Sequence, residues 1–188
     1  MDYQYRENNN PPYTGNVIYL STFSKILAPG LRLAWVIAPQ EVIRRLIQAK
    51  QGADLHTATF NQMVAYDVSK DGFLDQQIKV IRQVYGEHRR IMLDALEEYF
   101  PPSVKWTRPE GGLFLWITLP NGLNSTQILQ EAIRKNVAFV PGAPFYALGG
   151  GENTLRINFS NASPEAIRLG IERLSSVIKE NILTLAAM

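Results

Sequence analysis

Two short, unbroken apolar runs lie near the start of the chain, at residues 17–20 (VIYL) and 33–38 (LAWVIA). Apolar runs that do not alternate with polar residues are typical of strands covered on both faces of an α/β sheet. Two strands do not complete such a sheet. We therefore expect its other strands either later in the chain or in a part of the protein that this chain lacks.

Helical periodicity dominates the next part of the chain. The first predicted helix covers residues 39–50 and ends at Gly52, and the second covers residues 57–68. The third, residues 73–100, repeats its apolar positions every three or four residues and would be about 40 Å long. A helix of this length is typical either of a coiled coil or of a strut between two lobes.

The remainder of the chain mixes short strands with two helices, which is typical of a self-contained α+β lobe. One helix is predicted from Asn124 or Ser125 to Lys135. Another begins at Ser163, where a capping residue precedes a proline and a glutamate, and continues nearly to the C-terminus. The predicted strands are residues 104–107, 113–119, 137–140 and 155–159.

The composition argues against several classes of site. The formal net charge is +2 and the basic residues are dispersed, so neither a nucleic-acid surface nor a membrane patch is predicted. The chain has no cysteine, which argues against a disulfide or a thiolate site and fits a cytoplasmic protein. The two histidines, His56 and His88, do not have the spacing of metal ligands, so we expect no metal site.

Candidate chemistry is concentrated between the two apolar runs. This segment contains Thr22, Ser24, Lys25 and Arg32, with a turn at Pro29–Gly30. Hydroxyl groups and an arginine can bind a phosphate, and a lysine amine can form a Schiff base with an aldehyde. Pyridoxal phosphate (PLP) carries both groups. The residues alone leave another interpretation open, because serine and threonine are common in loops and most lone lysines are surface residues.

Three further residues have both a functional and a structural interpretation. Asp2 could keep a pyridine nitrogen protonated and Tyr5 could bond a ring oxygen, or both could belong to a disordered terminus. Arg156 lies in a predicted strand, where an inward-facing arginine needs an anion. That anion could be a substrate carboxylate or the acidic partner of a structural ion pair.

The glycines and aromatic residues in the second half of the chain favour a structural interpretation. We expect Gly149–Gly151 to serve turn geometry, because glycine readily adopts the conformations that turns need. The aromatic side chains of residues 113–116 (LFLW) are expected in the core.

Together these motifs resemble the fold-type I PLP-dependent aminotransferases of class I/II. Within that family the chain is most similar to the subgroup of 2-aminoadipate and multi-substrate aminotransferases and the effector domains of MocR-type regulators. The resemblance runs almost from end to end. It rests on D-x-x-Y at Asp2–Tyr5, STFSK-x-L-x-PGLR at Ser21–Arg32, PEGGLFLW at Pro109–Trp116, VPG at Val140–Gly142 and LRINFS at Leu155–Ser160.

The resemblance implies a role for each candidate residue. Lys25 would form the Schiff base with PLP and move a proton between the cofactor and the substrate α-carbon. Asp2 would pair with the pyridine nitrogen and Tyr5 with the phenolic oxygen. Thr22, Ser24 and Arg32 would hold the phosphate, and Arg156 would bind the α-carboxylate of the substrate.

The fold class that the resemblance implies is α/β, namely the C-terminal half of a PLP-dependent transferase-like fold. Residues 1–72 would be part of the large, PLP-binding domain, residues 73–100 a connecting helix, and residues 101–188 the small α+β domain. The family's N-terminal half supplies a stacking aromatic residue, a phosphate-binding loop and an asparagine near the ring. We therefore expect the chain alone to bind PLP weakly or not at all and not to transaminate. We also expect its two apolar strands to be exposed and to favour self-association.

Two functions of different classes follow from the resemblance. The first is transfer of an amino group from an amino acid to a 2-oxo acid, by a homodimer in the cytoplasm. The alternative is the PLP-binding effector domain of a GntR/MocR-type transcriptional regulator, and a folded remnant without catalysis is a third possibility. The sequence does not identify which amino acid is the substrate, since aromatic and dicarboxylic substrates are equally compatible with Arg156.

Overall fold

The structure, a computed structural model, describes residues 15–187. The chain divides into two compact units, the first ending at Ile81 and the second beginning at Arg82. The expectations for Asp2 and Tyr5 lie outside the described residues.

The first unit contains two antiparallel strands followed by two helices. Strand β1 (Tyr19–Thr22) pairs with β2 (Ala34–Ile37), and the connection between them contains a 3-10 turn at Pro29–Leu31. Helix α1 is Gln40–Ala53 and helix α2 is Thr59–Ser69. The prediction that the first helix ends at Gly52 is wrong by one residue, because the helix includes this glycine and Ala53.

The prediction that the two apolar runs are covered on both faces is wrong for the described part of the first unit. Val17 and Leu20 are 65% and 69% exposed, since β1 has β2 as its sole strand neighbour among residues 15–187. The expected exposure of apolar surface is thus confirmed for the first run. It is confirmed only in part for the second run, in which Ile37 is exposed but Leu33 and Ala38 at the two ends are buried.

Helix α3 (Phe73–Tyr99) is the longest element and confirms the prediction to within one residue. Its 27 residues correspond to about 40 Å. The buried side chains of this helix, Met92, Ala95 and Leu96, all lie in its C-terminal part. The boundary between the two units falls within α3.

The second unit continues from α3 as an antiparallel sheet with two further helices. The strand order is β3-β4-β6-β5, and all three pairings are antiparallel. Its elements after α3 are β3 (Lys105–Trp106), β4 (Phe114–Thr118), α4 (Ser125–Arg134), β5 (Val140–Pro141), β6 (Thr154–Asn158) and α5 (Pro164–Ala186).

The core of the second unit takes alternate residues from its two central strands. Leu115 and Ile117 of β4 and Leu155 and Ile157 of β6 are buried in one cluster, which also includes residues of α3 and α5. Successive strand residues point to opposite faces of a sheet. The residues that alternate with these four along the two strands, among them Arg156, therefore face away from the core.

Side-chain caps fix the starts of both helices that follow the sheet. The side chain of Asn124 accepts hydrogen bonds from the backbone N–H groups of Thr126 and Gln127, and Ser163 caps α5 in the same way through Ala166. The predicted helix starts are confirmed. Within residues 15–187 no helix has the length and hydropathy needed to cross a membrane.

Candidate functional site

The turn that carries Lys25 is closed by the backbone of Phe23. The Phe23 carbonyl accepts hydrogen bonds from the N–H groups of residues 26–28, at N–O distances of 3.3, 2.9 and 3.1 Å. The Phe23 N–H donates to the Leu33 carbonyl at 3.1 Å, and its ring lies 5.0 Å from that of Trp35. One residue thus ties the lysine-bearing turn to strand β2.

Two neighbours of the lysine provide hydroxyl groups. Thr22 Oγ1 accepts a hydrogen bond from the backbone N–H of Ser24 at 3.1 Å. A hydroxyl that accepts one hydrogen bond still has its own proton to donate. Lys25 is exposed, and its amine forms no hydrogen bond or ion pair with the residues that the structure describes.

Arg32 closes the same connection in an unusual backbone conformation. Its φ and ψ angles are 54° and 38°, in the left-handed region that is costly for a residue other than glycine. Its Nη1 donates to the Pro29 carbonyl at 3.0 Å, and Asn61 donates to the neighbouring Leu31 carbonyl at 3.0 Å. The guanidinium is exposed and pairs with no carboxylate among the described residues, so it can meet an external anion.

The structure brings Thr22, Ser24, Lys25 and Arg32 together in one connection. Thr22 pairs with Ala34, two residues after Arg32, so both ends of the connection lie at the same end of the hairpin. Hydroxyl donors beside a guanidinium suit a phosphate, and the amine suits an aldehyde. This donor set fits the phosphate and the aldehyde of PLP.

Arg156 lies in the second unit, in strand β6, between the buried residues Leu155 and Ile157. Its two neighbours take the core face of the sheet, so Arg156 takes the opposite face. Its guanidinium carbon lies 4.2 Å from the ring centroid of Phe114 and 4.7 Å from that of Phe145. Among residues 15–187 the Arg156 guanidinium has no acidic partner, so the described residues provide no structural ion pair for it.

The Nε atom of Arg156 is buried and has no hydrogen-bond partner among the described residues. A buried donor without an acceptor is uncommon in proteins, because leaving it unpaired costs free energy. A carboxylate bound at this guanidinium would supply the missing acceptor. The site therefore fits the carboxylate that the resemblance implies.

Sequence reasoning missed Phe114 and Phe145. The aromatic residues of 113–116 were expected in the core, but Phe114 is 36% exposed and Trp116 only half-buried. The reason is the period of two along β4, which gives the core positions to Leu115 and Ile117. That alternation could have been read from the sequence. Phe145 lies in a connection without such periodicity, and no sequence signal indicated it.

The glycines before β6 shape the connection that carries Phe145. Gly149, Gly150 and Gly151 all have positive φ angles, which agrees with their predicted role in turn geometry. A Cβ atom on Gly151 would collide with the Tyr146 ring, and one on Gly142 would collide with the Thr154 side chain. Both positions thus need glycine because of a close approach.

Comparison with known proteins identifies related enzymes. The model of the family "Aminotransferase class I and II" matches residues 7–174. A 2-aminoadipate transaminase of Thermus thermophilus is 48% identical over 163 residues, which are 87% of this chain and 41% of that protein. An aromatic-amino-acid aminotransferase of Thermococcus litoralis is 49% identical over 168 residues, 89% of this chain and 40% of that protein. The chain spans about two fifths of the length of these relatives.

A solved structure agrees with these relatives. It is the α-aminoadipate aminotransferase LysN of Thermus thermophilus, complexed with N-(5'-phosphopyridoxyl)-L-leucine. The match has a TM-score of 0.85 and 46% sequence identity, and it covers 89% of this chain and 43% of that chain. The described residues therefore have the fold of part of a PLP-dependent transferase.

A transcriptional regulator also matches, at lower identity. The uncharacterized HTH-type regulator YdfD of Bacillus subtilis is 32% identical over 177 residues, 90% of this chain and 36% of that protein. The aminotransferases named above are 46–49% identical over a similar stretch. Because the family model covers most of the sequence, the chain belongs to the family of class I and II aminotransferases.

Proposed function

We propose that this chain carries the lysine-bearing and carboxylate-binding parts of a PLP-dependent aminotransferase. The enzyme would transfer an amino group from an amino acid to a 2-oxo acid. The observation that carries the proposal is the connection from Thr22 to Arg32. There an exposed amine, two hydroxyl groups and a guanidinium without an acidic partner among the described residues lie on one turn.

Each side chain of this connection has a separate task. When bound, PLP supplies an aldehyde for the amino group and a ring that withdraws electrons from the bonds of the α-carbon. Thr22, Ser24 and Arg32 hold the phosphate by hydrogen bonds and charge. The Lys25 amine would attach the cofactor, and when free and neutral it would carry a proton from the substrate α-carbon to the cofactor.

Arg156 recognises the group that both substrates share. An amino acid and a 2-oxo acid both carry a carboxylate next to the reacting carbon, so one arginine serves both halves of the reaction. A guanidinium donates two parallel hydrogen bonds to a carboxylate. The named relatives act on a dicarboxylic amino acid and on aromatic amino acids. We therefore propose that Arg156 recognises the α-carboxylate and leaves the side chain to other residues.

The remaining parts of the proposal rest on the family resemblance. Asp2 would keep the pyridine nitrogen protonated and Tyr5 would bond the phenolic oxygen. The first unit would be part of the large domain, and the second would contain the small domain. A homodimer is proposed for the same reason, and a cytoplasmic location because the chain has no cysteine.

The proposal is tested by trapping PLP on the purified chain. Borohydride fixes the adduct of an amine with an aldehyde, and peptide mass mapping then identifies the lysine. We expect Lys25 to be labelled in preference to the other lysines, at low occupancy because the donors of one connection alone hold the phosphate. We also expect no transamination by this chain alone.

Two variants make this test specific. Arg32→Gln should reduce the labelling of Lys25, since it removes the charge that holds the phosphate, whereas Lys79→Ala, remote in sequence from the connection, should leave it unchanged. Labelling spread evenly over all lysines, with no effect of Arg32→Gln, would contradict the proposal.

The second candidate function is the PLP-binding effector domain of a transcriptional regulator, which the similarity to YdfD favours. The two functions share the lysine-bearing connection and Arg156, so these sites do not separate them. The gene sequence upstream of Met1 does. A winged helix-turn-helix there would support the regulator, and the remainder of an aminotransferase domain without it would support the enzyme.

A further inference from the structure

Two aromatic rings from different parts of the second unit contact the Arg156 guanidinium. Phe114 belongs to β4, the strand that pairs with β6, and Phe145 to the connection between β5 and β6. Both distances, 4.2 and 4.7 Å, lie well inside the range of about 6 Å in which a cation over an aromatic face is attracted to the ring.

The contacts restrict how the guanidinium can turn. Its N–H groups all lie in the plane of the group, so a guanidinium that lies over rings directs its hydrogen bonds sideways, away from them. The buried and unpartnered Nε shows that the stem of the side chain is already removed from water. The two ring contacts and the burial of Nε therefore leave the group fewer orientations than a solvated arginine has, before any ligand arrives.

Phe145 is itself held in place by its surroundings. Its ring packs edge-on against Trp116 at 5.5 Å between centroids, and Tyr146 lies 6.3 Å from the same indole. The Gly142 N–H donates to the Thr154 carbonyl at 2.8 Å, which fixes the start of the connection to β6. The exposed ring of Phe145 is thus positioned by backbone and aromatic contacts rather than by burial.

We propose that Phe114 and Phe145 are positioning residues, which hold the Arg156 guanidinium with its N–H edge toward a bound carboxylate. The inference rests on the proposed function, in which Arg156 is the carboxylate-binding residue. An arginine with free rotamers must be ordered when its ligand binds, and that ordering weakens binding. The two rings order the group beforehand, so their loss should weaken carboxylate binding although neither ring touches the carboxylate.

The experiment is a titration of the 188-residue chain with pyruvate, followed by NMR at the Arg156 Nε–H signal. Arg156→Gln assigns that signal, and the uncharged methyl ester of pyruvate is the ligand control. We expect a saturable shift with pyruvate and none with the ester. Phe145→Leu and Phe114→Leu should each weaken the affinity about threefold to tenfold, which is the effect of having to order one side chain on binding.

Matched variants separate positioning from a general effect on the fold. Phe145→Tyr keeps the ring and should keep the affinity, and Phe60→Leu removes a highly exposed ring of the first unit and should change nothing. A second measurement, the rotation rate of the guanidinium about its Nε–Cζ bond, should rise in both leucine variants without any ligand. A merely structural role of the rings would not change this rate.

The outcomes distinguish the two proposals. If pyruvate shifts Arg156 with equal affinity in the wild type and both leucine variants, the positioning role is wrong and the carboxylate site remains. If pyruvate does not shift Arg156 in the wild type, the carboxylate site is wrong and the positioning role falls with it.

Discussion

At the scale of single residues, Arg32 has a left-handed backbone conformation that costs free energy. Among residues 15–187, two other residues that are not glycine adopt a positive φ angle, namely Leu55 and Asn136. Asparagine tolerates this region well. An arginine gains nothing from the conformation itself. A costly backbone at an arginine that has no acidic partner among the described residues is typical of a functional position.

A pair of substitutions isolates this cost. Arg32→Ala and Arg32→Gly both remove the guanidinium, but only glycine adopts a positive φ without a steric penalty. We expect the free energy of unfolding of the glycine variant to be about 1 kcal/mol higher than that of the alanine variant. Urea unfolding followed by the fluorescence of Trp35, the tryptophan of the first unit, measures the difference. Equal stabilities would show that the Arg32 backbone is not strained.

The sequence lists the functional groups of this connection but does not predict its backbone conformation. The order of hydroxyls, lysine and arginine indicated a phosphate site, and Pro29–Gly30 correctly indicated a turn. The positive φ angle, however, lies at Arg32 and not at Gly30. Hydrogen bonds of Phe23 and Asn61 to the two ends of the connection determine where the chain reverses, and such contacts across 10 to 30 residues have no local sequence signal.

At the scale of elements, the residue that caps the start of α5 also affects the charge of a neighbouring carboxyl group. Ser163 Oγ accepts the Ala166 N–H at 3.2 Å, as the sequence Ser-Pro-Glu predicted. A hydrogen bond from its own backbone N–H lowers the pKa of the Glu165 carboxyl from its usual 4.5, and a hydrogen bond with the Ser163 hydroxyl lowers it further. A carboxylate in the first turn also interacts favourably with the helix dipole.

Removal of this cap should change both stability and titration. Ser163→Ala should lower the free energy of unfolding of the second unit by about 1 kcal/mol. It should also raise the pKa of Glu165 toward 4.5, which an NMR titration of its carboxyl carbon measures. Because the folded pKa is lowered, the stabilisation by Glu165 is present above pH 4.5 and is lost as the pH falls through the folded pKa.

The matched variant for the cap is Ser163→Thr, which keeps a hydroxyl at the same position. It should retain most of the stability and the lowered pKa of Glu165. A threonine variant as unstable as the alanine variant would contradict the role of the hydroxyl.

Helices were predicted more accurately than strands. All five helices expected from periodicity are present, with ends within one or two residues, apart from the three-residue extension of α1 past Lys50. The strand predicted at 137–140 is instead β5 (Val140–Pro141). A helix satisfies its hydrogen bonds internally, whereas a strand ends where its partner ends. The partner, here β6, cannot be read from the segment itself.

At the scale of the whole molecule, the two units differ in their buried apolar residues. The main core cluster, with members such as Leu96, Leu115 and Ile178, belongs entirely to the second unit. In the described part of the first unit the buried hydrophobic residues are Leu33, Ala38 and Ala65. In that described part, β1 pairs with β2 alone and exposes Tyr19 and Leu20, and an exposed apolar edge strand promotes pairing with another chain.

We therefore expect the chain to associate with itself as its concentration rises. Sedimentation velocity over a range of concentrations should show a growing dimer or oligomer fraction. Leu20→Lys should reduce that fraction, since a charge on an edge strand blocks pairing. The control is Leu183→Lys, at an equally exposed leucine of α5, 71% against 69% exposed. A monomer at every concentration, or an equal effect of both lysines, would contradict the prediction.

Helix α3 has a consequence for how a protease would divide the chain. The exposed Arg82 lies in it, where the two units meet in sequence, within an uninterrupted ladder of backbone hydrogen bonds. A protease needs an extended segment, so trypsin can cut there only after the helix has locally unwound. The buried residues of α3 begin at Met92, ten positions further on, and do not anchor that stretch. The rate of cleavage at Arg82 therefore reports how often this part of the helix opens.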